Sequence, residues 1–545
     1  MELTADQLTI ARYPLEKKIF LRGEAGTGKT TIAVARLEKM IQNGIAAETI
    51  LLLVPQRPLA RPYTLAASNP GLPPGGRVSI LTIGGLARRM DELFWPLVSE
   101  TAGFTHPEIS PQFLTIETTQ YFLSQIVDPL REKGYFDGIA IEPVRLYGQI
   151  LDNLNKTAVV DFSIEEIAPR LRAAWNGNQA DARYFDQAQD CAARFRQYCL
   201  EHSILDFSLQ MEIFTKFLWH EKLFQKYLQE RYVHLIYDNV EEDFPVAHDI
   251  VREWIPAMKS ALIIFDESAG YRSFLGADST SAESLSITTE RTFHLNDPML
   301  TPVSLVDFKL QLSEHIQLDS QNNLHSPVQL KEITLHYSRF FPQMLDAVVK
   351  KIENSINSGV KPGEIVVLSP FVSDSLRFSL QTRLEKKGLA LTTHRPGRDL
   401  GNEPAVRCLI TLAKLVFTQW KQKVNPLEFR TMLMTAVDGM DLIRADLLSH
   451  TVLSNKPDAD PLNPFSSLKP EMAERITFQL GEKYETLMNW VLQSRKNPSQ
   501  DLPEFFSRCF GELLSQKGFG FHFSYDMADA TNRLIESARQ FDVVI

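Results

Sequence analysis

The run Gly23-Glu24-Ala25-Gly26-Thr27-Gly28-Lys29-Thr30 constrains this chain more than any other segment. It follows an apolar stretch, Lys18 to Arg22, that predicts a strand, and it opens a stretch with helical spacing, Lys29 to Asn43. A Gly-x-x-x-x-Gly-Lys-Thr run between strand and helix lets the backbone wrap a phosphate. Successive N–H groups then turn inward, and the helix adds its dipole on the anion's side. Gly23, Glu24, Ala25, Gly26, Thr27 and Gly28 supply that cradle. Lys29 is expected to neutralise phosphate oxygens and Thr30 to reach Mg²⁺ through its hydroxyl, with Thr31 just beyond the motif. The expected ligand is a nucleoside triphosphate, ATP, with Mg²⁺, and the expected class is α/β with a parallel sheet.

Further strands are predicted at Thr49 to Val54, Arg77 to Thr82, Val233 to Tyr237 and Ala261 to Phe265. Between residues 101 and 230 the spacing is helical throughout, so a helical insertion interrupts one α/β domain made of residues 1–100 and 231–280. Residues 281–330, rich in Ser, Thr, Asn and Asp, are expected to be a linker with one or two short strands. A second α/β unit is expected over 331–415, with helices at Pro342 to Asn357 and Ser373 to Lys387 around a strand at Glu364 to Ser369. Residues 416–545 read as helical, with proline-bearing loops at Asn455 to Pro464 and Asn497 to Pro503.

The length, 545 residues with 44% apolar side chains, allows three or four domains. A net charge of −10 disfavours a chain that is basic throughout, yet leaves room for a local positive groove. Cys191, Cys199, Cys408 and Cys509 have no Cys-x-x-Cys spacing and read as reduced thiols. No apolar run reaches the roughly 18 residues a membrane span needs, and Met1-Glu2-Leu3-Thr4 does not begin a signal peptide, so a cytoplasmic protein without membrane contact is expected.

Several segments around the glycine loop agree on one family. Leu3-Thr4-Ala5-Asp6-Gln7 resembles the adenine-reading glutamine motif of the UvrD/Rep-type superfamily 1 DNA helicases. Ile50 to Ala60 (ILLLVPQRPLA) looks like their strand and loop that contact single-stranded DNA, and its Val-Pro-Gln form is closer to the AddB branch of helicase-nuclease subunits. Thr82 to Ala87 is similar to the next motif, with Gly84 where a histidine is usual. Leu205-Asp206-Phe207-Ser208-Leu209 resembles the segment before the magnesium motif, and Asp238-Asn239-Val240-Glu241-Glu242-Asp243 resembles that motif itself. Phe265 to Asp278 matches the following motif at Asp266, Phe274, Gly276 and Ala277.

The resemblance implies a RecA-like P-loop NTPase domain, a second, incomplete RecA-like domain and a 2B-like helical region. It implies Gln7 on adenine, Lys29 and Thr30 on phosphate and metal, Asp238 on Mg²⁺, and Gln56, Arg57, Arg61 and Thr82 on DNA, with Arg88 and Arg89 on the next helix. The implied activity is that of an ATP-dependent DNA helicase acting on single-stranded or partly duplex DNA. The alternative is a non-unwinding, ATP-binding subunit that recognises DNA beside a helicase-nuclease partner.

The motif also departs from the family. Asn239 stands where a glutamate polarises the attacking water, and a neutral amide cannot accept its proton. Glu241 and Glu242 are the nearby carboxylates that could replace it. Ala269 and Leu275 stand where glutamine and arginine are usual, Arg339 is the candidate for the arginine of the second domain, and the last two helicase motifs are not found.

Overall fold

The computed structural model describes residues 3–177, 179–296, 299, 301–319, 334–370, 372–392, 400–453 and 462–544. The chain divides into two compact units, Met1–Thr301 with Arg539–Ile545, and Pro302–Ala538.

The first unit is built on a six-stranded sheet. Its strands are β1 (Lys18–Gly23), β2 (Ile50–Leu53), β3 (Ser79–Leu81), β6 (His234–Tyr237), β7 (Ser260–Asp266) and β8 (Arg291–Leu295), while β4 (Gln112–Phe113) and β5 (Ile204–Leu205) pair separately. The order is β3-β2-β6-β7-β1-β8 and every pairing is parallel. A parallel sheet is covered on both faces, so its inner strands read as unbroken apolar runs. Accordingly Ile19, Phe20 and Leu21 are fully buried, and every residue of β2, β6 and β7 is buried.

Alternate residues of these strands serve two different cores, because successive side chains point to opposite faces. Ile19, Leu21, Ile50, Leu52, Ile236, Leu262 and Ile264 pack against α1 (Ala5–Ala11), α2 (Lys29–Gln42) and α3 (Arg61–Ala67). Phe20, Leu51, Leu53, Leu235, Tyr237, Ile263 and Phe265 pack on the other side. That core is shared with α4 (Ile83–Val98) and with the insertion helices α5 (Ile116–Glu132), α6 (Pro143–Val160), α7 (Ile167–Ala174), α8 (Arg183–His202), α9 (Phe207–Glu212) and α10 (Lys222–Arg231). It also takes in α11 (Pro245–Trp254), which follows β6. The insertion therefore covers one face of the sheet. Each fully buried Leu, Ile or Phe in these layers contributes roughly 1.5–3 kcal/mol.

The edge strand β8 falls inside the segment expected to be a linker. It pairs with β1 from Ile19↔Arg291 to Gly23↔Leu295, and its partly exposed side chains explain why its sequence, RTFHL, lacks the apolar run of an inner strand. The expected linker's residues 320–330 lie outside the described residues.

In the second unit helices dominate: Val303–Asp319, Phe341–Asn357, Asp374–Glu385, Pro404–Val416, Pro426–Ala436, Leu442–Val452 and Phe478–Lys496 are the longer ones, and Tyr525–Val544 begins in this unit. The two helices expected around 342–357 and 373–387 form, but the strand expected between them does not. Glu364 ends a 3₁₀ turn, and Ile365 to Ser369 joins no ladder, with Val366 and Leu368 exposed. Among the described residues of this unit, strand pairing is limited to the isolated bridges Val437↔Phe519 and Leu453↔Leu462. A second RecA-like sheet is thus not formed by the described residues of 331–415, since an apolar run becomes a strand only beside a neighbour. Residues 455–461 of the expected proline-bearing loop lie outside the described residues.

Candidate functional site

With all strands of the main sheet parallel, the loops after β1, β2, β3, β6 and β7 leave from one edge, where α/β sheets bind ligands. The glycine loop joins β1 to α2, and Gly28 caps the helix at φ 87°. A side chain there would suffer twice, since a Cβ would also lie 2.5 Å from Gln7 Nε2.

Gln7 is held against the loop by both ends of its amide. Its Nε2 donates to the Thr27 carbonyl at 3.0 Å, while its Oε1 accepts from the Thr4 N–H at 3.0 Å in a capping box that starts α1. The glutamine thus ties α1 to the glycine loop. Within the loop, Thr27 Oγ1 donates to the Glu24 carbonyl at 2.8 Å, Ala25 is exposed, and Thr31 is half-buried on α2.

Lys29 is buried and folded back on the loop. Its Nζ donates to the carbonyls of Gly23 and Glu24, each at 2.7 Å, and to Asp266 Oδ2 at 3.0 Å. Asp266 ends β7, next to β1 in the sheet, so parallel register brings this pair together. Thr30, the next residue of α2, donates through Oγ1 to Asp238 Oδ2 at 2.9 Å. Asp238 directly follows β6 and is buried.

The same Asp238 oxygen accepts a second hydroxyl, that of Tyr63 on α3, at 2.5 Å, and Oδ1 accepts the Asn239 N–H at 2.9 Å. Burial raises the Asp238 carboxyl above its ordinary range, while the bonds from Tyr63, Thr30 and the Asn239 N–H pull it down. Burial, and then the Asp238 charge, push the Tyr63 hydroxyl well up, so Tyr63 stays a donor. Nothing in the local pattern around Tyr63 marks it, because its partner lies far away in sequence.

The acidic run after Asp238 is engaged within the protein. Asn239 takes a left-handed backbone at φ 57°, a conformation asparagine tolerates better than glutamate, and its Nδ2 lies 3.4 Å from Glu241 Oε1. Glu241 is fully buried and its Oε2 accepts the Asp266 N–H at 2.9 Å, with burial pushing its carboxyl up to about 7. Glu242 accepts the N–H groups of Gly270, Tyr271 and Arg272 at 2.9, 3.1 and 3.2 Å, and so organises the turn after β7. Lys29, Asp238 and Glu241 are drawn together around Asp266 and Thr30; Glu242 faces the neighbouring turn instead.

Among the described residues, no three His, Cys, Asp or Glu side chains converge on one point. Thr30 and Asp238 are nevertheless a donor set suited to Mg²⁺, which prefers few protein oxygens and completes its shell with phosphate and water.

A cavity of about 520 Å³ opens on the same edge, lined by Pro55, Thr82, Lys156, Phe207, Arg272 and Phe274 among others. Thr82 caps α4 by accepting the Gly85 N–H at 3.0 Å. Of the four residues expected to meet DNA, Thr82 alone lines this cavity; Gln56 precedes a 3₁₀ turn at Arg57–Ala60, and Arg57 and Arg61 are exposed on it and on α3. Arg88 lies over the Phe113 ring at 4.7 Å, and Arg89 is exposed. Arg339, in the second unit, lies over Phe340 at 5.3 Å.

Compared with known protein families and with curated proteins, the chain matches none. Gly84 is small because a Cβ there would lie 3.0 Å from the Phe207 ring. Asp206 places that ring by capping α9, accepting the Ser208 and Leu209 N–H groups, both at 3.1 Å. Leu275 lines the cavity, and Tyr271 and Phe274 beside it are 78% and 72% exposed. The cavity offers aromatic faces together with Lys156 and Arg272, but also Asp152, Glu242 and Asp243. No helix among the described residues is long and apolar enough to cross a membrane.

Proposed function

We propose that this chain binds ATP with Mg²⁺ at the glycine loop and couples that binding to single-stranded or partly duplex DNA, as a UvrD-like superfamily 1 helicase with slow hydrolysis. The observation that carries the reading is the meeting of Thr30 with Asp238 beside Lys29, from α2 and the end of β6. A chain folded only for stability has no need of a lysine and two carboxylates buried at the sheet edge where a triphosphate would lie. Lys29 would exchange Asp266 for phosphate oxygens, and Thr30 and Asp238 would hold the metal, which supplies charge neutralisation at the phosphates. Exposed Phe274 and Tyr271 offer faces on which bases can stack.

Slow turnover follows from Asn239. Its amide can orient a water but not deprotonate it, Glu242 is engaged by three backbone N–H groups, and Glu241 is fully buried. These same facts favour a second reading, a non-unwinding ATP-binding and DNA-recognising subunit of a helicase-nuclease complex.

Steady-state ATP hydrolysis with and without single-stranded DNA separates the two. The helicase reading expects slow, DNA-stimulated turnover that Lys29→Ala lowers by about 100-fold and Asn239→Glu raises by about tenfold. Nucleotide binding without turnover supports the subunit reading, and measurable turnover that is equal in wild type and Lys29→Ala overturns both.

A further inference from the structure

Tyr63 is a fully buried tyrosine whose hydroxyl ends on a carboxylate oxygen that Thr30 already occupies. It belongs to α3, a short helix that begins at Arg61, directly after the 3₁₀ turn Arg57–Ala60. Pro58 and Pro62 restrict the backbone of this passage, so turn and helix move more nearly as one piece. Two steps separate Arg61 from Tyr63, roughly 200° around a helix, which turns the arginine to solvent and the tyrosine to the core. One short element therefore carries exposed cations on one side and a donor to Asp238 on the other.

We infer that Tyr63 is a positioning residue that couples occupancy of the Gln56–Arg61 segment by a single-stranded nucleic acid to the carboxylate of Asp238. The inference rests on the proposed nucleotide and DNA reading and deepens it. Phosphates drawn to Arg57 and Arg61 shift the start of α3, and the Tyr63 hydroxyl shifts with it. The bond is 2.5 Å long, so a displacement of more than about 0.5 Å carries it past the range of O–H···O hydrogen bonds, weakens it and frees Asp238 Oδ2 to turn. Asp238 then presents a different orientation to Thr30 and to a metal. The effect needs no contact between nucleic acid and nucleotide.

The test is the affinity of the full chain for a fluorescent ATP analogue in Mg²⁺, measured with and without a saturating oligodeoxythymidylate of about 20 nucleotides. In the wild type the oligonucleotide should change nucleotide affinity by about fivefold or more, and in Tyr63→Phe that ratio should fall to about one. Asp238→Asn removes the carboxylate whose orientation carries the effect and should also lose the ratio; adding Tyr63→Phe to it should change nothing further. If Tyr63→Phe does not fold, the double variant Arg57→Ala with Arg61→Ala, both exposed, carries the test, and its ratio should likewise fall to about one. A ratio retained in Tyr63→Phe, or a wild-type ratio of one when both ligands bind, overturns the coupling and leaves the nucleotide reading standing. A wild type that binds neither ligand overturns the functional reading itself.

Discussion

Because the Lys29 ammonium is already held by Asp266 and two carbonyls, a phosphate entering the glycine loop has to compete with a carboxylate for it. Asp266→Asn should therefore tighten nucleotide binding by about fivefold while destabilising the ligand-free chain by roughly 3 kcal/mol, since it breaks a buried pair. Titration calorimetry and urea denaturation read the two effects, and weaker nucleotide binding would show that Asp266 supports the ligand instead of competing with it. Glu241 makes a prediction about pH. Its carboxyl is raised from 4.5 to about 7 by burial, so between these values the unfolded chain releases the proton and the folded chain keeps it. Its contribution is intact below about pH 4.5 and is lost as pH rises toward 7, a cost of roughly 3 kcal/mol. Asp243, pushed up to about 6, acts in the same direction, whereas His248, pushed down to about 4, acts oppositely as pH falls below 6.5. Glu241→Gln isolates the first term: relative to wild type it should gain stability between pH 5 and pH 8, and parallel profiles would contradict the assignment. Sequence alone exposed Lys29, Thr30 and Asp238 because a motif marks them. It left Tyr63 invisible, since a contact between α3 and the end of β6 depends on sheet order.

Elements differ in how openly their sequences declare them. β1, β2, β6 and β7 were legible because inner parallel strands must be apolar on both faces. The strand expected at Glu364 to Ser369 carries the same signal, yet its apolar run stands without a ladder partner among the described residues. Helix α4 shows the opposite case, a residue its sequence gives no reason to bury. Asp91 is fully buried, neither carboxyl oxygen has a hydrogen-bond partner among the described residues, and burial pushes its carboxyl well above the ordinary range. Such a group costs stability, and alanine is also the better helix former, so Asp91→Ala should stabilise the chain by about 1–2 kcal/mol at neutral pH. Denaturant midpoints check this; a loss of stability would mean that Asp91 has a role in the core that its geometry does not reveal.

For the molecule as a whole, every residue of the proposed nucleotide site lies in the first unit: Gln7, the loop from Gly23 to Thr30, Tyr63, Asp238, Glu241 and Asp266. A fragment ending at Thr301, which lacks only Arg539–Ile545 of that unit and keeps both of its buried cores, should accordingly bind nucleotide within about threefold of the full chain, because a compact unit with its own core can fold alone. The division into a split sheet domain with a helical insertion was readable from the change in periodicity after residue 100 and its return at β6. That the insertion would share the core of one sheet face was not, since spacing shows which residues are buried but not what buries them. The account stands on the glycine loop, and its most direct test is equilibrium binding of ATP in Mg²⁺ to wild type and Lys29→Ala. The wild type should bind, and the variant should bind at least about tenfold more weakly, as the loss of a charge-assisted contact requires. Equal affinities, or no binding by the wild type, would contradict it.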